Sequence, residues 1–290
     1  MALDKQKITE RFNETGFPFQ HWCLETIRNI DKDHGGWIHV AVPEHPFTFP
    51  QSEGPTLGIH GAIDIVAVRG VKGIEKSLLF LVIECKRANN EIKNWIFISD
   101  KHERKPAFIF SRITNESLVE KIEVSREMAF PELGYSYPGD FDYCYQGIEV
   151  NETQTTINRN QEERIYKSLR QVNHGACALE HQIPKNLYIE GLDRAFNFTK
   201  WQNFIYIPVI VTTANLFIAN FDYKNIKDGD ILSEVGDYQE KKWLTYEFPL
   251  PDFISYETPE RLHLEKRTTF IVNHASLVGF LEKVGTIDSI

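Results

Sequence analysis

The chain has 290 residues, of which 42% are hydrophobic and 25% charged, a composition typical of a globular protein with a sizeable core. Its formal net charge of −9 counts against a protein that coats nucleic acid by bulk electrostatics, because that mode of binding needs a strongly basic surface. The longest apolar stretches, such as residues 78–83, are far shorter than the roughly 20 residues of a membrane-spanning helix, so no membrane span is expected.

The cysteines and the N-terminal residues bear on the cellular compartment in which the protein is expected. The chain has 4 cysteines, which form no CxxC pair, so the sequence predicts neither a zinc knuckle nor a disulfide framework. Residues 1–12 alternate charged with apolar side chains and lack the continuous apolar stretch of a signal peptide. We therefore expect a protein of the reducing cytoplasm.

The first predicted elements are a helix and three strands. Apolar residues at helical spacing predict a helix over residues 18–30, which ends at His34-Gly35-Gly36. A strand at 37–42 and a loop at 43–55 follow, because the prolines of that loop should keep it out of a sheet ladder. Residues 62–68 and 78–86 are strongly apolar and predict an antiparallel hairpin, joined by a connection that contains two glycines.

The second half of the chain predicts further strands and helices. Together the elements predict an α/β fold with a central mixed sheet flanked by helices, in a single domain over residues 1–290 with a large insertion at about 100–160. The predicted elements are a strand at 95–98, a helix at 117–128, an aromatic loop at 135–145, an amphipathic helix at 161–181, strands at 204–211 and 216–221, and a closing helix at 276–284.

One acidic triplet stands out by its context. The pattern Glu-x-Lys or Asp-x-Lys occurs five times, so the triplet alone carries no information. Only the copy formed by Glu84 and Lys86 ends a continuous apolar strand, and only that copy follows a second apolar strand with a solitary acid, Asp64.

The strand geometry places these three side chains together. Residues two apart in a strand face the same side, so Glu84 and Lys86 point in one direction. Asp64 lies opposite Glu84 if the hairpin turns about Ile74, which falls within the glycine-containing connection. Neighbouring strands lie about 4.8 Å apart, so two facing carboxylates can share a hard cation such as Mg²⁺ or Mn²⁺.

Two interpretations of these acids remain open. In one, Glu84 pairs with Lys86 or Arg87, and Asp64 lies at a strand end near solvent. In the other, the acids bind a metal ion, because an ionised carboxylate inside an apolar sheet costs several kcal/mol or more unless it is paired or metal-bound. The metal would then polarise a scissile phosphate and activate water, while Lys86 positions that water or neutralises charge on phosphorus.

The segments Gly61-Ala-Ile-Asp64-Ile-Val-Ala and Leu-Val-Ile-Glu84-Cys-Lys86 resemble the PD-(D/E)xK, or restriction-endonuclease-like, superfamily. Residues 15–20 and 93–97 extend the likeness. The resemblance implies a restriction-endonuclease-like core, Asp64 and Glu84 as metal ligands, Lys86 as the catalytic lysine, and Mg²⁺ or Mn²⁺ as cofactor. It also implies a nuclease of bacterial type, acting on DNA rather than RNA, in defence or repair, and in a homodimer if it cuts duplexes.

The sequence departs from the family pattern in the first helix. Relatives often carry a glutamate there, and the matching position is Gln20, whose amide oxygen could hold only a metal-bound water. Glu25 is a substitute ligand or an ordinary exposed helix acid. This departure and the acidic net charge favour the alternative function, a catalytically inactive module of the same fold that binds nucleic acid or protein.

Several further residues are candidate substrate contacts. Each has a structural alternative. Trp95 could stack on a base or pack in the core. His174 shares a helix face with His181, but no third metal ligand is near in sequence, so its alternative role is that of an ordinary polar residue. Five aromatic residues between Tyr135 and Tyr145 could stack on bases or fill the core under a loop. The substrate-contact candidates are Gln171, His174, Arg87, Lys93 and Trp95.

Overall fold

The computed structural model describes most of the elements predicted from the sequence. None of the helices described is long and apolar enough to cross a membrane. The structure describes residues 4–34, 39–41, 44–49, 59–70, 77–88, 93–100, 109–113, 122–123, 142–150, 162–186, 203–219, 226–227, 231–232, 237–249 and 266–285.

Four helices are described, and three of them confirm predicted helices. The helix that the sequence pattern missed is the first, which has few apolar residues and a largely exposed surface. Its end signals are nevertheless present, because the Asp4 side chain accepts hydrogen bonds from Gln6 N and Lys7 N, and Gly16 ends the helix with φ 81°. The helices are α1 Lys5–Thr15, α2 Phe17–His34, α3 Glu162–Asn186 and α4 Leu277–Gly285.

Most of the strands belong to one large mixed sheet. The strands are β1 His39–Ala41, β2 His45–Phe49, β3 Ile59–Ile63, β4 Ile65–Gly70, β5 Ser77–Lys86, β6 Asn94–Asp100, β7 Ile109–Ile113, β8 Ile122–Glu123, β9 Tyr143–Val150, β10 Asn203–Thr212, β11 Asn215–Ala219, β12 Ile226–Lys227, β13 Ile231–Leu232, β14 Tyr238–Lys241, β15 Trp243–Pro249 and β16 Lys266–Asn273. Twelve of them form a sheet whose main order is β1-β4-β5-β10-β16-β15-β9-β6-β11-β14, with β7 paired to β10 and β8. The chain is therefore an α/β protein with a mixed sheet, as the sequence predicts.

The large sheet is strongly curled. In its order four strands separate β10 from β11, which in a flat sheet would place them about 24 Å apart. Only residues 213 and 214 join these two strands, and two residues cannot span that distance. The curl brings the start of β11 back to the ends of β5 and β16, where Thr213 N donates to Lys86 O (3.3 Å) and Asn273 Nδ2 donates to Ala214 O (2.7 Å).

Each face of the sheet carries its own hydrophobic core. Helix α3 packs on one face against side chains such as Phe80, Val82 and Phe97, and we call this the α3 face. Helices α2 and α4 pack on the opposite face around Ile27, Leu79 and Phe280. Strand β10 lies between β5 and β16, parallel to both, and is buried on both faces as predicted.

Three predictions of local structure were wrong. The loop predicted at 43–55 contains β2, where Pro46 lies opposite Ala62 in a separate two-stranded sheet; proline is tolerated there because each strand has a free edge. The two-residue strand β8 falls inside the helix predicted at 117–128, and Tyr143 and Tyr145 lie in β9 rather than in a loop. Residues 117–121, 124–128 and 135–141 lie outside the described residues.

The strand predicted over residues 62–68 is interrupted. Strand β3 ends at Ile63 and β4 begins at Ile65, so the chain leaves the ladder at Asp64 and changes from the small sheet to the large one. The single domain and the insertion at about 100–160 remain predictions.

Two helix glycines provide a test of how closely α3 packs against β3 of the small sheet. A Cβ at Gly175 in α3 would lie 2.6 Å from Ile63 Cγ1, whereas a Cβ at Gly279 in α4 would have its nearest neighbour, Trp243 Cζ3, at 3.9 Å. We expect Gly175→Ala to lower the free energy of unfolding by about 1–2 kcal/mol, because overpacking outweighs the better helix propensity of alanine. Gly279→Ala is the matched control and should raise it by about 0.5–1 kcal/mol in urea unfolding. A stabilised Gly175→Ala would contradict the close packing.

Candidate metal and catalytic site

Asp64 is held at the break between β3 and β4 by hydrogen bonds from three parts of the chain. Its carbonyl oxygen accepts from Gln20 Nε2 at 2.9 Å and from Glu44 N at 3.2 Å. Its carboxylate oxygen Oδ2 accepts from Cys85 N at 2.7 Å. These bonds join α2, the turn before β2 and the end of β5, and they fix the Asp64 side chain beside Glu84.

Glu84 and Lys86 lie at the carboxyl end of β5. Ile65 pairs with Ile83 in the antiparallel ladder, which is the register expected for a connection centred on Ile74 and which places Asp64 opposite Glu84. Lys86 Nζ lies 3.4 Å from Glu84 Oε1. The Glu84 side chain is 4% exposed and that of Lys86 30%, so the cluster runs from the core to the surface.

The electrostatics of this cluster are dominated by burial. Burial raises the pKa of Glu84 to about 8, the neighbouring Asp64 carboxylate adds to the rise, and Lys86 opposes it. Burial also raises the pKa of Asp64, against the hydrogen bond from Cys85 N and the charge of Lys86. The two carboxyl groups lie close enough that each affects the pKa of the other. The pair is therefore poised to hold either a proton or a cation.

The donor set fits a divalent metal ion. Asp64 uses Oδ2 for the Cys85 amide and Glu84 uses Oε1 for Lys86, which leaves one further oxygen on each carboxylate. Carboxylate oxygens are the ligands that Mg²⁺ and Mn²⁺ prefer, and Mg²⁺ usually retains several waters. No group of three or more His, Cys, Asp or Glu side chains able to hold a metal occurs among the described residues, so this site offers two protein carboxylates.

The two supporting candidates, Gln20 and Glu25, both lie in α2 but have different contacts. Gln20 reaches the site, but its amide donates to the Asp64 carbonyl and so supports the backbone break. Glu25 forms an ion pair with Arg28 at 2.7 Å, with both side chains more than 40% exposed, and has no described contact with the cluster. The structure thus favours Glu25 as an ordinary exposed helix acid.

The two candidates on α3 lie near β3 or inside the core. Gln171 Nε2 donates to Ala62 O at 3.1 Å, which ties α3 to the strand just before Asp64. His174 is 5% exposed, and burial lowers its pKa to about 4, with Arg170 and Arg267 adding to the effect. A neutral, buried imidazole favours the interpretation of His174 as an ordinary residue of the fold over a role as a surface contact for substrate.

The remaining substrate candidates lie around the end of β5. Arg87 and Lys93 are exposed; Arg87 Nη1 donates to Asn13 O, and the Lys93 carbonyl accepts from Asn215 N at 2.7 Å. Trp95 is 1% exposed and packs edge-on against Phe97. The burial of Trp95 favours packing in the core over stacking on a base.

Two acidic residues near the cluster were not singled out from the sequence. Glu44 has a left-handed backbone (φ 59°), is exposed, and contributes a charge that acts on Asp64. It lines a cleft of about 290 Å³ together with Phe17, Gln20, His21 and Leu24. Because residues 43–55 were predicted to be loop, no pattern pointed to Glu44.

Glu149 in β9 is the second unpredicted acid. It is 4% exposed, and burial raises its pKa to about 7 against the charges of Arg164 and Lys86. A sequence signal existed, because Glu149 is an acid between Ile148 and Val150 in a short apolar segment, as Asp64 is between Ile63 and Ile65. The signal was missed because no strand was predicted there.

No family model, curated protein or solved structure matches this chain.

The raised pKa of Glu84 predicts how stability depends on pH without metal. Because the folded-state pKa (about 8) lies above the ordinary value of 4.5, the native state is favoured most at low pH and loses stability as the pH rises through this range. Glu84→Gln removes this titration, so the Tm of the variant minus that of the wild type should increase from about pH 5 to 8. Thermal unfolding of both proteins in EDTA at several pH values measures this difference. Parallel Tm curves for the two proteins would contradict the buried, uncompensated carboxyl pair.

Proposed function

We propose that this protein is a metal-dependent nuclease that hydrolyses nucleic-acid phosphodiesters, with DNA favoured over RNA. The observation that carries the proposal is the meeting of Asp64, Glu84 and Lys86 at the ends of two adjacent buried strands. The resemblance to the PD-(D/E)xK superfamily, with its restriction-endonuclease-like core, rests on the same three residues and their order along the chain.

The three residues have separate roles in this proposal. Asp64 and Glu84 would hold Mg²⁺ or Mn²⁺ through their carboxylate oxygens, and the bound ion would supply Lewis-acid polarisation of the phosphate. Lys86 carries its ammonium group beside Glu84, where it can orient the attacking water and offset charge that develops on phosphorus. Gln20 and the Cys85 amide hold Asp64 in place and do not take part in the chemistry.

The surroundings of the cluster allow a polyanion to approach it locally. Lys86 is 30% exposed, and the exposed Arg87 and Lys93 lie just beyond it along the chain. This small cationic group contrasts with the net charge of −9 for the whole chain. We therefore expect weak non-specific affinity and a binding mode that depends on contacts near the site.

A second candidate function is supported by one observation. Among the described residues, α2 contributes no carboxylate to the cluster. The α2 side chain that reaches Asp64 is Gln20, whose amide donates to the Asp64 carbonyl. A chain that binds metal weakly or not at all could use the same surface as a non-catalytic module for nucleic acid or protein. Metal binding and cleavage distinguish the two functions.

The proposed activity is tested by incubating plasmid, single-stranded DNA and RNA with the protein and Mg²⁺ or Mn²⁺. We expect metal-dependent cleavage by the wild type and a loss of at least 100-fold in Asp64→Ala and Lys86→Ala, because each removes a group used in the transition state. EDTA should abolish the activity of the wild type.

The chain offers a matched control for these variants. Glu240 belongs to another Glu-x-Lys triplet, but it lies exposed in β14, so Glu240→Ala should cleave like the wild type. Circular dichroism and Tm should establish that all variants are folded. The absence of cleavage on every substrate, together with no metal binding by calorimetry, would favour the non-catalytic module.

A further inference from the structure

We propose that Glu149 is a positioning residue of the active site, whose carboxylate keeps the ammonium group of Lys86 in place when a metal ion occupies Asp64 and Glu84. The inference rests on the proposed nuclease function and adds a residue to it. It assigns a role to a buried acid of β9 that the two-carboxylate site leaves unused.

The curl of the sheet brings β9 to the end of β5. Thr213 N donates to Lys86 O, and two residues later Asn215 is paired with Asn94 in the parallel ladder between β11 and β6. Asn94 is in turn paired with Val150 of β9, the residue that follows Glu149. A short path of backbone contacts therefore connects Lys86 to Glu149 across strands that are distant in sequence.

Glu149 and Lys86 also lie on the same face of the sheet. In β5, the side chains of Phe80 and Val82 face α3, and the period of two places Glu84 and Lys86 on that face. In β9, Gly147 contacts Phe97 and Ile165 of the same core, and Glu149 is two residues further along. Both acids and the lysine thus border one region at the edge of the α3 face.

The burial of the Glu149 carboxylate calls for a nearby group of opposite charge. It is 4% exposed, and among the described residues its Oε2 atom has no hydrogen-bond partner. A buried carboxylate without compensation costs several kcal/mol, so such a group calls for an explanation. The cations whose charges act on it are Arg164, at the start of α3, and Lys86.

A second acid next to Lys86 has a physical purpose once a metal is bound. A divalent ion on Asp64 and Glu84 would engage the charge of Glu84 and repel the nearby ammonium group. Glu149 offers that ammonium group another negative charge, which lies outside the pair of metal ligands. Lys86 would then remain in position when the metal binds, instead of turning to solvent.

The kinetic test compares Glu149→Gln with the wild type. Because Glu149 acts through Lys86, kcat should fall about 10- to 100-fold, while KM for the nucleic acid and the calorimetric affinity for Mn²⁺ stay within about twofold. In a Lys86→Met background, Glu149→Gln should cause no further loss. Glu240→Gln, the same change on an exposed strand, should leave kcat unchanged. A fall in kcat that persists in the Lys86→Met background, or unchanged kcat in Glu149→Gln, would overturn the inference.

A stability measurement tests the pair independently of cleavage. In EDTA at pH 8, Glu149→Gln relieves the burial of a charge but also removes its attraction to Lys86. We therefore expect Glu149→Gln to raise Tm more in the Lys86→Met background than in the wild type. Additive changes in Tm would contradict the pairing. If the wild type cuts no substrate, the nuclease proposal fails, whereas non-additive Tm values would still support an electrostatic interaction between Glu149 and Lys86.

Discussion

The candidate site depends on the burial of two carboxyl groups next to each other. Asp64 and Glu84 lie at the ends of adjacent strands, where the apolar sheet removes most of the water that would solvate their charges. Such a pair is stable only if it shares a proton, meets a cation, or does both under different conditions. The hydrogen bonds to Asp64, the break between β3 and β4, and the position of Lys86 can all be understood as supports for this pair.

The curled sheet determines what surrounds the acids. A flat sheet would place β9 far from β5, and Glu149 could then have no influence on Lys86. The two-residue link between β10 and β11 requires the strands to curl back, so that the ends of β5, β6 and β9 meet at one edge of the α3 face. The same curl lets α3 contact strands that are far apart in the strand order of the sheet, including β5, β16 and β9. Long-range topology therefore brings a third acid to the lysine.

The local parts of this site could be predicted from the sequence. The apolar strands around Asp64 and Glu84 have strong patterns, and the period of two with a hairpin centred on Ile74 is sufficient to place the acids opposite each other. The partners contributed from a distance could not be predicted. Glu44 lies on a turn whose left-handed backbone has no sequence signature, and the proximity of Glu149 to Lys86 depends on strand pairings between segments more than 50 residues apart. The sequence left two interpretations open for Trp95 and His174 for a related reason, since their burial is decided by the packing of α3 on the sheet that contains β6.

The most direct test of the account is a crystal structure of the protein soaked in Mn²⁺, with an anomalous difference map calculated at a wavelength where manganese scatters strongly. The account predicts a peak between the carboxylates of Asp64 and Glu84, with Lys86 beside it and no peak in Asp64→Ala. A map without a peak at this position, in crystals where Lys86 still contacts Glu84, would contradict the interpretation of the acid pair as a metal site.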